Sequence, residues 1–245
     1  LEEEIRSPKY EPAPITLGAN TDPYQPIERS YRITRSLLEV LAEYRHPVSI
    51  ITKGALVERD FDLLQELAAF DAVSVMVSLT SMDAGLKRHL EPRAAAPARR
   101  LRMIERLRDA GIPVGTLIAP VIPALTDHEL EHLLQAAADA GARSAGYVLL
   151  RLPHEVEPLF TEWLQAHYPD RAERVLNHLR DVHGGACYDA AFGHRMRGSG
   201  PYAQLLGNRF RIACRRAGID PARRIALSCD AFHRPPRRGD QTELF

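Results

Sequence analysis

Residues 15–28 read ITLGANTDPYQPIE. Ile15 to Leu17 form a short apolar strand, and Gly18 marks a place where the backbone must turn or let something come close. The polar cluster Asn20, Thr21, Asp22, Tyr24 and Gln25 follows, punctuated by Pro23 and Pro26, and Glu28 leads into a helix. Ligands of α/β proteins sit outside the carboxyl ends of the strands, so a polar stretch at this place is a site-builder. Taken alone it is also an ordinary loop of turn formers. Recurrence along the chain decides between the two.

The pattern does recur. Ser30 to Tyr44 places Ile33, Leu37, Leu38 and Leu41 at helical spacing, and His46-Pro47 ends that helix. Val48 to Ile51 is a second strand, closing on Thr52, Lys53 and Gly54, and Arg59 to Phe70 is again amphipathic. Val73 to Leu79 is a third strand, ending in Ser78-Leu79-Thr80. A helix over 98–110 stops at Gly111, and Pro113 to Ala119 is a fourth strand. Thr126 and Glu129 have the spacing of a capping box for a helix to Ala140, and Ala145 to Leu150 is a fifth strand. Strand and helix alternate as parallel βαβ units require, and apolar strands of this kind belong in a sheet covered by helices.

From Arg151 the alternation stops. Helices are expected over 158–167, 170–183 and 202–217, with glycine-rich joints between them. The chain therefore divides into a βα core, 1–151, and a helical, arginine-rich extension, 152–245.

Composition excludes several classes. With 45% hydrophobic and 26% charged residues the 245-residue chain is an ordinary globular protein. No apolar run approaches the roughly 20 residues that span a bilayer, and the acidic LEEEIRSPKYEP is no signal peptide. Three scattered cysteines make no disulfide framework, which points to the cytoplasm. The formal net charge of zero hides a basic C-terminal segment from Arg195 onward. Arginine supplies nearly all the cations, since Lys9, Lys53 and Lys87 are the only lysines.

Lys53 at a strand end is a cation aimed into the cleft, able to pair with a carboxylate or phosphate or to form a Schiff base. A solvated loop lysine is the ordinary alternative. Ser78 and Thr80 could hydrogen-bond a ribose or carboxylate, or simply cap local backbone. Arg93, in HLEPR, reads as a surface arginine before a gate. Around Ala119 and Val121, in APVIPALTD, unpaired backbone groups could recognise a flat ring. Among His183, Cys187, His194, Cys214, Cys229 and His233 only two pairs approach metal-ligand spacing, so no zinc site is expected.

In order and spacing, TDPYQPIE, ITKG, VSLTSMD with HLEPR, and IAPVIPALTDHE resemble the radical S-adenosylmethionine proteins, in the branch related to spore photoproduct lyase. FGHRMRGSGPYAQLLGNRF and LSCDAFHRPP are similar to that branch as well. The resemblance implies a partial (β/α)6 TIM-like barrel with a mainly helical C-terminal extension. It implies a 4Fe–4S cluster on a CxxxCxxC-type loop, S-adenosylmethionine chelated to it, and a 5′-deoxyadenosyl radical that abstracts a substrate hydrogen. A nucleic-acid lesion as substrate and a reducing donor such as flavodoxin or ferredoxin follow from the same likeness. In that frame Asn20, Thr21 and Asp22 lie near the methionyl amine and Lys53 near its carboxylate. Ser78 faces ribose or carboxylate, and the backbone from Ala119 to Val121 lines the adenine.

This chain departs from the pattern in one respect: the cluster loop is absent, and Cys187, Cys214 and Cys229 are too far apart to imitate it. The leading Leu1 and this absence together set the expectation that the first strand and its cysteine loop lie upstream, a degenerate paralogue being the other explanation. Two further classes stay open, a TIM-barrel Schiff-base lyase using Lys53 and a non-catalytic nucleic-acid-binding module.

Overall fold

In the computed structural model, residues 1–185, 187, 196–222 and 224–235 are described. Arg195, His194 and the tail from residue 236 lie outside them. Strands β1 (Ile15–Leu17), β2 (Val48–Thr52), β3 (Val73–Leu79), β4 (Val114–Val121) and β5 (Ala145–Leu149) form one sheet in the order β1-β2-β3-β4-β5. Every neighbouring pair is parallel, in the register Ile15↔Val48, Val48↔Val73, Val75↔Val114 and Thr116↔Ala145. The sheet curls into a half-barrel.

The helices are α1 (Glu2–Ile5), α2 (Glu28–Tyr31), α3 (Ile33–Glu43), α4 (Phe61–Ala68), α5 (Ala84–Leu90), α6 (Pro97–Asp109), α7 (Leu130–Ala140), α8 (Val156–His167), α9 (Pro169–Val182) and α10 (Gly200–Arg216). The helix expected over 30–44 is broken at Arg32, whose φ of 50° is left-handed, so α2 and α3 are separate. A 3-10 helix, Ala55–Asp60, precedes α4, and Asp83 caps α5 by accepting from the Gly85 and Leu86 amides. The capping box at Thr126 does not form. Its hydroxyl accepts from the Ile122 amide at 2.8 Å, and Glu129 turns away to Ser81 and Met82.

Each strand has two distinct sides. Val48, Ile50, Val73, Val75, Val77 and Val114 are sealed against α3, α4, α6 and α7 in the main core. The alternate residues Ser49, Ile51, Met76, Leu117 and Val148 are only half-buried and face the concave inner wall. Ala203, Leu206, Phe210, Ala213 and Cys214 of α10 join the main core. A second core gathers Phe160 and Leu164 of α8 and Val175 and Leu179 of α9 around Leu86, Ile122 and Leu152. No described helix is long and apolar enough to cross a membrane.

Candidate functional site

The loop after β1 is pinned before it reaches solvent. Gly18 has φ +92°, and a Cβ there would stand 2.1 Å from the Ile51 carbonyl oxygen, so the turn admits only glycine. Asp22 then clamps the loop to the end of β2. One carboxylate oxygen accepts from the Tyr24 amide at 2.9 Å and the Thr52 hydroxyl at 2.7 Å, and the other accepts from the Lys53 amide at 2.7 Å. Asn20 and Thr21 lie exposed just before this clamp.

Lys53 leaves β2 on the inner-wall side and pairs with Glu91, in the turn after α5. The same carboxylate accepts from Arg100 at 2.6 Å. The Thr80 hydroxyl lies within hydrogen-bond reach of both Glu91 and the Ala119 carbonyl, at 2.9 Å each. Arg100 is 1% exposed, and every arm is engaged: Nε donates to the Ala95 carbonyl at 2.8 Å and Nη1 to the Ser78 carbonyl at 3.1 Å. Burial alone would raise the Glu91 carboxyl, but Lys53 and Arg100 outweigh it and hold it below its ordinary value. A hydrogen-bonded path thus runs from Asp22 through the backbone of Lys53, then through Glu91 and Thr80 to Ala119. It joins the carboxyl ends of β2, β3 and β4.

Of the residues singled out in the sequence, Asp22, Lys53, Thr80 and Ala119 are brought together on this path. Ser78 is nearby but 3% exposed, and its carbonyl belongs to Arg100. Val121 is also buried, at 1%, and its carbonyl accepts from the Leu150 amide. Arg93 is exposed; the member of HLEPR that enters the site is Glu91, two residues earlier. Glu91 and Arg100 are the residues of this path that sequence reasoning missed. Arg100 shares the apolar stripe of Pro97, Met103, Ile104 and Leu107, and that helical spacing separates it from the exposed Arg102.

The three cysteines lie in three separate places. Cys187 is in the second core, Cys214 is inside α10 in the main core, and Cys229 donates to the Pro12 carbonyl at 3.4 Å. Burial pushes the Cys214 thiol up to about 11, which disfavours the thiolate an iron site needs. These residues do not fit an iron–sulfur cluster. No cluster of three metal-ligating side chains occurs among the described residues.

Residues 4–137 match the model of the Radical SAM superfamily. The chain belongs to that superfamily. Uncharacterized protein Rv2578c of Mycobacterium tuberculosis is 38% identical over 176 residues, which is 71% of this chain and 52% of that protein. Uncharacterized protein MJ0683 of Methanocaldococcus jannaschii is 28% identical over 163 residues, covering 66% and 60%. The radical SAM chain described here therefore spans about half the length of the curated relatives it matches first. Its fold is that of spore photoproduct lyase. The complex of that enzyme with dinucleoside spore photoproduct superposes with TM-score 0.59 at 14% identity, over 88% of this chain and 61% of the other.

Proposed function

We propose that this chain is the S-adenosylmethionine-binding part of a radical enzyme that acts on a nucleic acid. The observation that carries the reading is the convergence of Asp22, Lys53, Thr80 and Ala119 at one mouth of a radical SAM half-barrel. The residues present suit S-adenosylmethionine: a cation on the inner wall, half-exposed backbone at Ala119, and half-buried apolar walls below. Bound there, S-adenosylmethionine supplies the 5′-deoxyadenosyl group used by this superfamily to take a hydrogen atom from a substrate.

Lys53 would hold the methionyl carboxylate by exchanging one carboxylate partner, Glu91, for another. Arg100 and Thr80 would keep Glu91 satisfied during that exchange. Asn20 and Thr21 would meet the methionyl amine, on a turn that Asp22 fixes. Ser78 would serve the ribose side, and the backbone from Ala119 to Val121 would line the adenine. The thiolates for a 4Fe–4S cluster, and the reducing donor it needs, would come from outside these 245 residues. Nucleic acid is the substrate class because solved spore photoproduct lyase holds a dinucleoside photoproduct in the same fold. No observation favours the Schiff-base reading, since an ammonium clasped by a carboxylate has no lone pair for a carbonyl.

Calorimetric titration of S-adenosylmethionine into the complete protein with its cluster restored, under anaerobic conditions, tests the proposal. Lys53→Ala should weaken binding by about 1.5–3 kcal/mol, roughly ten- to a hundredfold. Lys53→Arg should recover only part of it, because a planar fork replaces a compact charge. Equal affinity for Lys53→Ala and wild type would remove Lys53 from the site.

A further inference from the structure

A second concave surface lies away from the strand ends, along β5, the last strand of the sheet. It is a groove of about 730 Å³ between β5 and α10, lined by Tyr147, Arg197, Gln204, Asn208, Arg211 and Arg215 among others. Gln204, Asn208, Arg211 and Arg215 are spaced four, three and four residues apart, so they form one stripe of α10. At 1.5 Å per residue that stripe runs for roughly 16 Å.

The charges in this groove differ from those of six arginines in the βα units. Arg35, Arg59, Arg99, Arg100, Arg106 and Arg108 each meet a carboxylate. On α10 itself, Arg209 turns toward α7 and pairs with Glu131 at 2.8 Å. Among the described residues, Arg197, Arg211 and Arg215 have no acidic partner: Arg211 donates to the Asn208 amide oxygen, and Arg197 lies over the Tyr147 ring at 5.7 Å. The one acid lining the groove, Asp220, accepts from the Ala222 amide.

Tyr147 supplies the second observation. It is 7% exposed and packs on Phe210 at 4.8 Å, yet its hydroxyl makes no hydrogen bond among the described residues. A Cβ on Gly207 would stand 3.3 Å from that hydroxyl, so glycine keeps the space beside it open. Burial raises the phenol while Arg197 and Arg211 oppose the shift, which places both guanidinium groups in its field. A hydroxyl that opens onto the groove without a protein partner, beside three guanidinium groups with no acidic partner, describes a receptor for phosphate oxygens. The cations are spread along the groove instead of converging on one point, which suits a polyanion. With a formal net charge of zero, the chain has no bulk attraction for one, so any binding is local.

We propose that the β5–α10 groove holds the phosphate backbone of a nucleic acid, with Arg197, Arg211 and Arg215 on phosphate oxygens and the Tyr147 hydroxyl donating to one of them. This deepens the substrate reading above and rests on it for the class of ligand. Binding measured without S-adenosylmethionine separates its failure from that of the cofactor site.

The experiment is fluorescence anisotropy of a labelled 20-nucleotide DNA strand with the full-length protein, across a salt series. A mononucleotide serves as competitor. Arg211→Gln and Arg215→Gln should each weaken binding about tenfold and lower the log–log salt slope by about 0.7, the value for one single-strand phosphate contact. Tyr147→Phe should weaken binding at every salt concentration and leave the slope unchanged. Arg102→Gln, the same charge change on the exposed face of α6, should stay within about twofold of wild type. Arg211 and Arg215 are exposed, so unchanged thermal unfolding should accompany their loss of binding. The proposal is overturned if the α10 variants bind like Arg102→Gln. It is equally overturned if the mononucleotide binds as tightly as the strand.

Discussion

Two ion clusters flank the loop after β1, and they are built for different ends. In the first, Glu28 and the fully buried Asp60 are gripped by Arg59 and Arg35, at 2.8–3.0 Å, and Arg35 continues to Asp62 at 2.7 Å. Both cations are guanidinium forks, and the Arg59 fork also takes the Glu28 carbonyl at 3.0 Å. In the second, Glu91 is shared between a guanidinium and an ammonium, and the ammonium is the part that reaches the inner wall. A fork fixed on two acceptors resists exchange, whereas a point charge on a flexible stem can change partners. The first cluster staples the loop to the 3-10 helix after β2. The second offers one of its members to a ligand.

The largest test of that contrast is Arg100→Met. It strips donors from the Ser78 and Ala95 carbonyls and half-unpairs a buried carboxylate, so chemical denaturation should show a loss of about 3–5 kcal/mol. Lys53→Ala should cost less than about 1 kcal/mol of stability, because the side chain is 27% exposed and Arg100 still holds Glu91. If Lys53→Ala destabilises as much as Arg100→Met, both clusters are structural and the distinction falls.

A pH series sharpens it further. The Glu91 carboxyl is held below its ordinary value, so its stabilising contribution is complete above the unfolded pKa of about 4.3. It disappears as pH falls through the lower folded value. Urea unfolding of wild type and Glu91→Gln from pH 7 to pH 3 should therefore converge at the acid end. A gap that stays constant across the series would show that the Glu91 charge contributes nothing. The smallest effect is expected at Lys9, exposed and away from the strand ends, where alanine should change S-adenosylmethionine affinity by less than about 0.5 kcal/mol. Lys87 would be a poorer control, since its ammonium donates to the Pro92 carbonyl beside Glu91.

The strands and their polar ends were legible in the sequence because both are local signals. Val73 to Leu79 can be read from β-branched residues, and the β1 turn from Gly18 and two prolines. Glu91 could not be found that way: it meets Lys53 across 38 positions, and its own neighbourhood, HLEPR, gives no sign of burial. Arg100 falls on the stripe of Pro97, Met103, Ile104 and Leu107, so its inward face was legible from helical spacing, but its partners Glu91 and Ser78 were not. Thr126 and Glu129 show the opposite error. Their spacing fits a cap, but Ser81 and Met82, 48 and 47 positions away, compete successfully for the Glu129 carboxylate.

The half-buried wall of the barrel has a bearing on how this chain could change over time. Val48, Ile50, Val75 and Val77 cannot alter without disturbing the packing of several helices. Ser49, Ile51, Met76 and Leu117, one position away in each strand, carry little of that packing. Parity along a strand therefore separates residues that hold the fold from residues that shape the chamber. New ligands can be sampled by substitution at the second set while the first stays fixed, so altered specificity need not pass through an unfolded intermediate.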